Sequence, residues 1–254
     1  MSDIKWEDGA VHESARCGKY KVLKDEGFDR VFIKFVETGY EKVIKRSQIK
    51  TGYIKDPLYP FLFGVGYFGE GEYTATRGGK PTRSYGAWEG MVRRCYDKNK
   101  NGCERYSGRG VSVCKEWLNF QNFARWFSAQ PNSNLRGFEV DKDIINPSAK
   151  TYSEENCAIV PHYINALLTT TNAKRGEFPV GVCKHRAGFL AQCNRNGKRV
   201  KLGVFNSVDD AFNAYKKYKL CVIAEKASKA FELGHISKLV LDRLLNIEIT
   251  KFPE

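Results

Sequence analysis

Residues 138–168 read FEVDKDIINPSAKTYSEENCAIVPHYINALL, and no other stretch constrains the architecture so tightly. Residues 138–142 alternate as a short strand. A polar turn of roughly a dozen residues follows. A helix is predicted from near Pro161, where Ile164, Leu167 and Leu168 recur at helical spacing. Asn156 and Asn165 are nine residues apart, and Asp141 lies fifteen before Asn156. Asp141 and Asn165 offer oxygen donors, which suit a hard cation such as Mg²⁺. For Asp143, a salt bridge or a loop cap is expected rather than a ligand role.

Upstream, Tyr85, Trp88, Met91, Val92 and Cys95 predict a helix over 85–97. Phe120, Phe123, Trp126 and Phe127 predict another over 119–129. Residues 51–84 are rich in glycine and X-Pro turns. They read either as a linker or DNA-tracking segment, or as tight turns against a sheet. Residues 18–50 read as short antiparallel strands with turns at Gly27 and Gly39. Val31, Ile33 and Phe35 fall on one face there, and Phe32, Lys34 and Val36 on the other.

Downstream, TTTNAKRGEFP (169–179) reads as a linker. Three strands are predicted in PVGVCKH, GFLAQCN and RVKLGVF. A helix over 209–229 follows, capped near Asn206-Ser207, with Asp209 and Asp210 in its first turn. Its apolar face carries Ala211, Phe212, Tyr215, Tyr218 and Val222. The tail is expected to add a short helix and an edge strand. The fold class is therefore α+β, in three segments: 1–80, 81–172 and 173–254.

The 254-residue chain has 42 Lys+Arg against 29 Asp+Glu, a net charge of +13. The three segments carry +2, +3 and +8. That excess points to a polyanionic partner concentrated on the last third. The 42% hydrophobic content excludes a disordered chain. No apolar run reaches the ~18–20 residues of a membrane span, so no membrane partner is expected. The opening MSDIKWEDGAVHES has no apolar signal core, and a cytoplasmic location is expected. No Walker pattern is present, so no nucleotide cofactor is expected. Cys95, Cys103, Cys114 and Cys157 would suffice in number for one structural Zn²⁺. With no Cys-x-x-Cys pair among the eight cysteines, reduced thiols are the favoured reading.

Asp141-Lys142, Asn156 and Asn165 together resemble the HNH, or ββα-metal, nuclease motif. WEGMVRRCYDK and YSGRGVSVCKEWLNFQNFARWF look like the region before that motif in phage and bacterial HNH endonucleases. The resemblance implies a central ββα-metal nuclease domain after a small N-terminal β-rich domain. Asp141 and Asn165 would be ligands and Asn156 an orienting residue. Lys142 stands where the family's general-base His is expected. An ordinary lysine, with pKa ~10.4, is a poor base at neutral pH. Three readings stay open: Lys142 stabilises the transition state while another group is base, His162 supplies the base, or the centre is slow or inactive.

Residues 179–220 are similar to the APETALA-type (ethylene-response-factor-like) DNA-binding domain, on GV at 181–182, LGVF at 202–205 and DDAFNAYKK at 209–217. The resemblance implies a three-stranded antiparallel sheet packed on a helix, with its sheet in the major groove. Lys184, Arg186, Gln192, Asn194, Lys198, Arg199 and Lys201 would be its DNA contacts, and the N-terminal sheet would add to the footprint. The implied function is a homing-type endonuclease acting on double-stranded DNA with Mg²⁺ or another divalent cation. The alternative is a non-cleaving DNA-binding or regulatory protein on a degenerate HNH scaffold. An RNA-binding role rests on charge alone.

Overall fold

The computed structural model describes residues 7–98, 107–168 and 177–251, in which helix and strand are mixed. The chain divides into two compact units, residues 1–129 with 150–153, and residues 130–149 with 154–254. These lines cut across the three segments drawn from composition and charge.

In the first unit β1 (Val11–Ser14), β2 (Gly18–Gly27), β3 (Arg30–Phe35) and β4 (Glu41–Lys45) form an antiparallel sheet in chain order. The period-two pattern explains its core. Val31, Ile33 and Phe35 are buried with Tyr20, Val22 and Ile44, while Lys34 and Val36 are exposed. Phe28 and Asp29 connect β2 to β3 with φ of 47° and 64°. Two left-handed residues match the right-handed twist of the flanking strands. Helix α1 (Arg46–Thr51) follows and seals this core with Ile49.

After a small hairpin of β5 (Thr76–Arg77) and β6 (Lys80–Pro81), helix α2 (Arg83–Tyr96) starts at Thr82, whose hydroxyl accepts from the Tyr85 N–H. It buries Trp88, Met91, Val92 and Cys95. Strand β7 (Ser112–Val113) and helix α3 (Phe120–Ala129) complete the unit, and Phe120, Phe123, Trp126 and Phe127 are buried. The Trp88 indole N–H donates to the carbonyl of Trp117 at 2.7 Å. The stretch 51–84 packs on both the sheet and this aromatic core: Ile54 and Tyr59 join the core of the β1–β4 sheet, and the later glycines lie against this aromatic core. A β-carbon on Gly66 would lie 3.1 Å from the Trp88 ring. Gln121 holds the backbone of Tyr73 through both its amide atoms, each at 2.9 Å.

The second unit begins with β8 (Phe138–Asp141). The expected polar turn after it contains β9 (Thr151–Tyr152), which pairs in parallel with β7 as part of the first unit. Strand β10 (Ala158–Pro161) returns antiparallel to β8, with Ala158 opposite Asp141 and Pro161 opposite Phe138. Helix α4 (His162–Leu168) starts at the next residue. The His162 N–H donates to the Gly137 carbonyl at 2.7 Å, which pins the helix start to the end of the ladder.

Strands β11 (Val182–His185), β12 (Gly188–Arg195) and β13 (Lys198–Phe205) form a three-stranded antiparallel sheet. Helix α5 (Val208–Glu232) is capped by Ser207, which accepts from the Asp210 N–H at 3.0 Å. Its first half packs Ala211, Phe212 and Tyr215 on Ala191 and Cys193 of the sheet. The approach is close, for a β-carbon on Gly181 would lie 2.1 Å from the Tyr215 ring. Its second half packs Ile223, Ala227 and Ala230 with Val160, Ile164 and helix α6 (Lys238–Leu245). The expected edge strand in the tail is not formed over residues 246–251. Ile247 and Ile249 pack on core clusters instead, which satisfies their apolar character without a ladder. Most of the linker expected at 169–179 lies outside the described residues, as does Cys103.

Candidate functional site

The β8–β10 pair and α4 bring a cluster of polar side chains together at one end of the ladder. Glu139 and Asp141 are two apart on β8 and so point to the same face. Glu139 is opposite Val160, which sets its carboxylate beside the start of α4. Its Oε1 lies 2.9 Å from His162 Nδ1 and accepts from Asn165 Nδ2 at 3.0 Å. A carboxylate oxygen can only accept, so Nδ1 carries the proton in the neutral imidazole and Nε2 carries the basic lone pair. The His162 side chain is 76% exposed, within reach of a large ligand.

Asp141 is buried at 8% exposure. Its Oδ1 accepts the backbone N–H groups of Asp143 and Ile144, at 2.9 and 2.8 Å. Burial nevertheless pushes its carboxyl above the usual range, outweighing those two bonds. Oδ2 makes no hydrogen bond among the described residues, so the carboxylate keeps one oxygen for a further partner. Asn165 donates to Glu139 through its side-chain nitrogen. Asp141 and Asn165 both carry oxygen donors, the atom type that a hard divalent cation takes. Among the described residues, no group of three or more His, Cys, Asp or Glu converges as a metal cage.

Lys142 is buried, and its ammonium donates to the Asp143 carboxylate and to the carbonyl of Ala149 at 3.1 Å. It ties down the turn that leaves β8. The salt bridge expected for Asp143 is formed with it. Asn156 lies in the turn before β10 and accepts from Asn146 Nδ2 at 3.5 Å. Glu139 carries no warning in a motif centred on Asp141 and Lys142. Its only sequence signal is the Glu-x-Asp alternation on a predicted strand.

The seven residues expected to contact DNA divide by register. Ala191 and Cys193 face α5, so Gln192 and Asn194 face away from it. Lys201 is directly opposite Gln192, and Arg199 opposite Asn194. These four share the face away from the helix, and Asn194, Arg199 and Lys201 are exposed. Lys198 is opposite Arg195, and Lys184 opposite Phe189, which gives both the alternation of the helix-side face. The Lys184 ammonium stands 4.5 Å from the centre of the Phe189 ring. Arg186 is in the β11–β12 turn and exposed. Gln192, Asn194 and Arg199 also line a cavity of about 320 Å³ with Cys193, Tyr215 and Lys219. Burial lowers the affinity of the Lys219 ammonium for its proton. Lys219 was not separable in the sequence from the other lysines of its helix.

No protein-family model, curated protein or solved structure matches the chain. No helix among the described residues is long and apolar enough to cross a membrane.

Proposed function

We propose that this protein is a metal-dependent DNA endonuclease of the HNH type, directed to duplex DNA by its C-terminal sheet. The observation that carries the reading is the strand–strand–helix unit of β8, β10 and α4, with Glu139, His162 and Asn165 hydrogen-bonded at its end and Asp141 on the same strand face. Glu139 holds the His162 ring by Nδ1, so Nε2 accepts the proton of the attacking water. The carboxylate also stabilises the imidazolium that forms. A divalent cation held by Asp141 and Asn165 would supply positive charge at the leaving oxygen. Lys142 keeps the turn beside Asp141 in place. The arrangement gives His162 the role that the motif assigns to the position of Lys142. Gln192, Asn194, Arg199 and Lys201 provide amides for base edges and cations for phosphates.

A second reading, a non-cleaving DNA-binding or regulatory protein, is favoured by one observation. The residue at the expected base position is committed to two acceptors in its own loop.

Supercoiled DNA incubated with the full chain and Mg²⁺ separates the two. Cutting by the wild type is expected, and Glu139→Gln should slow it by about 10²-fold or more through loss of the oriented tautomer. Cutting at equal rates by wild type and variant would remove Glu139 and His162 from the mechanism. Tight DNA binding with no cutting would establish the second reading.

A further inference from the structure

The first segment of the chain has a net charge of only +2, yet its sheet sorts that charge by face. Tyr20, Val22, Val31, Ile33, Phe35 and Ile44 fill the inner face. Alternation, with a β-bulge at Leu23 that shifts Lys24 into step, puts Lys19, Lys21, Lys24, Arg30, Lys34 and Lys45 on the outer face, all exposed, against Glu13 and Glu41. Register makes the arrangement costly. Lys21 is directly opposite Lys34, and Arg30 directly opposite Lys45. Like charges facing each other across a ladder destabilise it. Lys34 is relieved by Glu41 at 2.9 Å, and Arg30 in part by Glu26 at 3.6 Å. Lys19, Lys21, Lys24 and Lys45 make no salt bridge among the described residues. The centre of the face is Phe32, half-buried, with Val43 beside it.

We infer that the outer face of the β1–β4 sheet is a second binding surface, for the phosphate backbone of duplex DNA. The proposed function identifies the polyanion, and the rest of the inference stands on the register. Lys19 and Lys21 are two residues apart on β2, about 7 Å along the strand, a β-bulge at Leu23 returns Lys24 to the same face opposite Phe32, and a phosphate backbone between opposed lysines removes their repulsion. The face offers no amide row for base edges, so it adds affinity without sequence preference.

The test is DNA binding by the full chain in EDTA, read by fluorescence anisotropy across a salt series. Lys19→Gln/Lys21→Gln/Lys24→Gln should flatten the slope of log K against log salt by roughly 2.7, about 0.9 per lost contact. Affinity at low salt should fall about tenfold or more while the preferred sequence stays the same. The thermal midpoint should stay level or rise, since a like-charge pair is removed, and this separates the effect from unfolding. A charge-matched control is Lys229→Gln/Lys238→Gln/Arg243→Gln on α5 and α6. An equal loss in that control, or an unchanged slope in the β2 variant, overturns the inference and leaves the C-terminal assignment intact. Tighter, β2-lysine-dependent binding to single-stranded RNA overturns the choice of duplex DNA. A wild type that binds no nucleic acid refutes the DNA reading itself.

Discussion

Glu139 directs two side chains with one oxygen, accepting from His162 and Asn165 at 2.9 and 3.0 Å. Asp141 divides its carboxylate differently, with Oδ1 holding two backbone N–H groups of the following turn. Two substitutions therefore separate structure from chemistry. Asp141→Ala leaves those N–H groups without an acceptor and should cost about 1–3 kcal/mol. Asp141→Asn keeps the acceptor and removes a charge that burial disfavours, so its stability should equal or exceed that of the wild type while cutting is lost. The pH dependence has a fixed sign. The folded pKa is raised, so the favourable contribution of Asp141 is fully present below the ordinary carboxylate range, ~3.9, and is lost as pH rises through the higher folded value. Denaturant unfolding in EDTA should show Asp141→Asn gaining on the wild type from acid to neutral pH. A constant difference would contradict the burial argument.

Helix α5 is the element that joins the C-terminal three-stranded sheet to the ladder carrying the candidate site. Its first half meets the sheet through Phe212 and Tyr215, and its second half meets Val160 and Ile164 through Ile223. Ile223 is 1% exposed, and Ile223→Ala should cost about 2–5 kcal/mol by leaving a cavity under α4. Cutting should weaken with it, because His162 and Asn165 ride on α4. A loss below 1 kcal/mol in urea unfolding would mean that the site does not depend on this packing. Much of this was legible in the sequence. The alternation of Val31, Ile33 and Phe35, the helical stripes around Trp88 and Phe123, and the cap at Ser207 each follow from local periodicity. The tail was misread because Ile247 and Ile249 look like strand residues but pack without a ladder. Strand β9 was hidden in the turn because its partner β7 is distant in sequence. Glu139 was missed for a related reason. Its role comes from strand register against β10, and a motif read along the chain does not contain register.

At the scale of the whole molecule, the +13 charge resolves into faces rather than thirds. Arg199 and Lys201 stand on the outer face of one sheet, and Lys19, Lys21 and Lys24 on the outer face of another, while the β8–β10–α4 unit presents carboxylate, imidazole and amide. On the proposed function, DNA affinity would belong to the sheets and bond cleavage to the strand–strand–helix unit. The central claim is that Asp141 and Asn165 hold the cation. Anomalous scattering from Mn²⁺ in crystals of the full chain bound to duplex DNA tests it most directly. One peak within about 2.5 Å of Asp141 Oδ2 and Asn165 Oδ1 is the expected result. Mn²⁺ bound elsewhere on the chain, with neither side chain as a ligand, would contradict it.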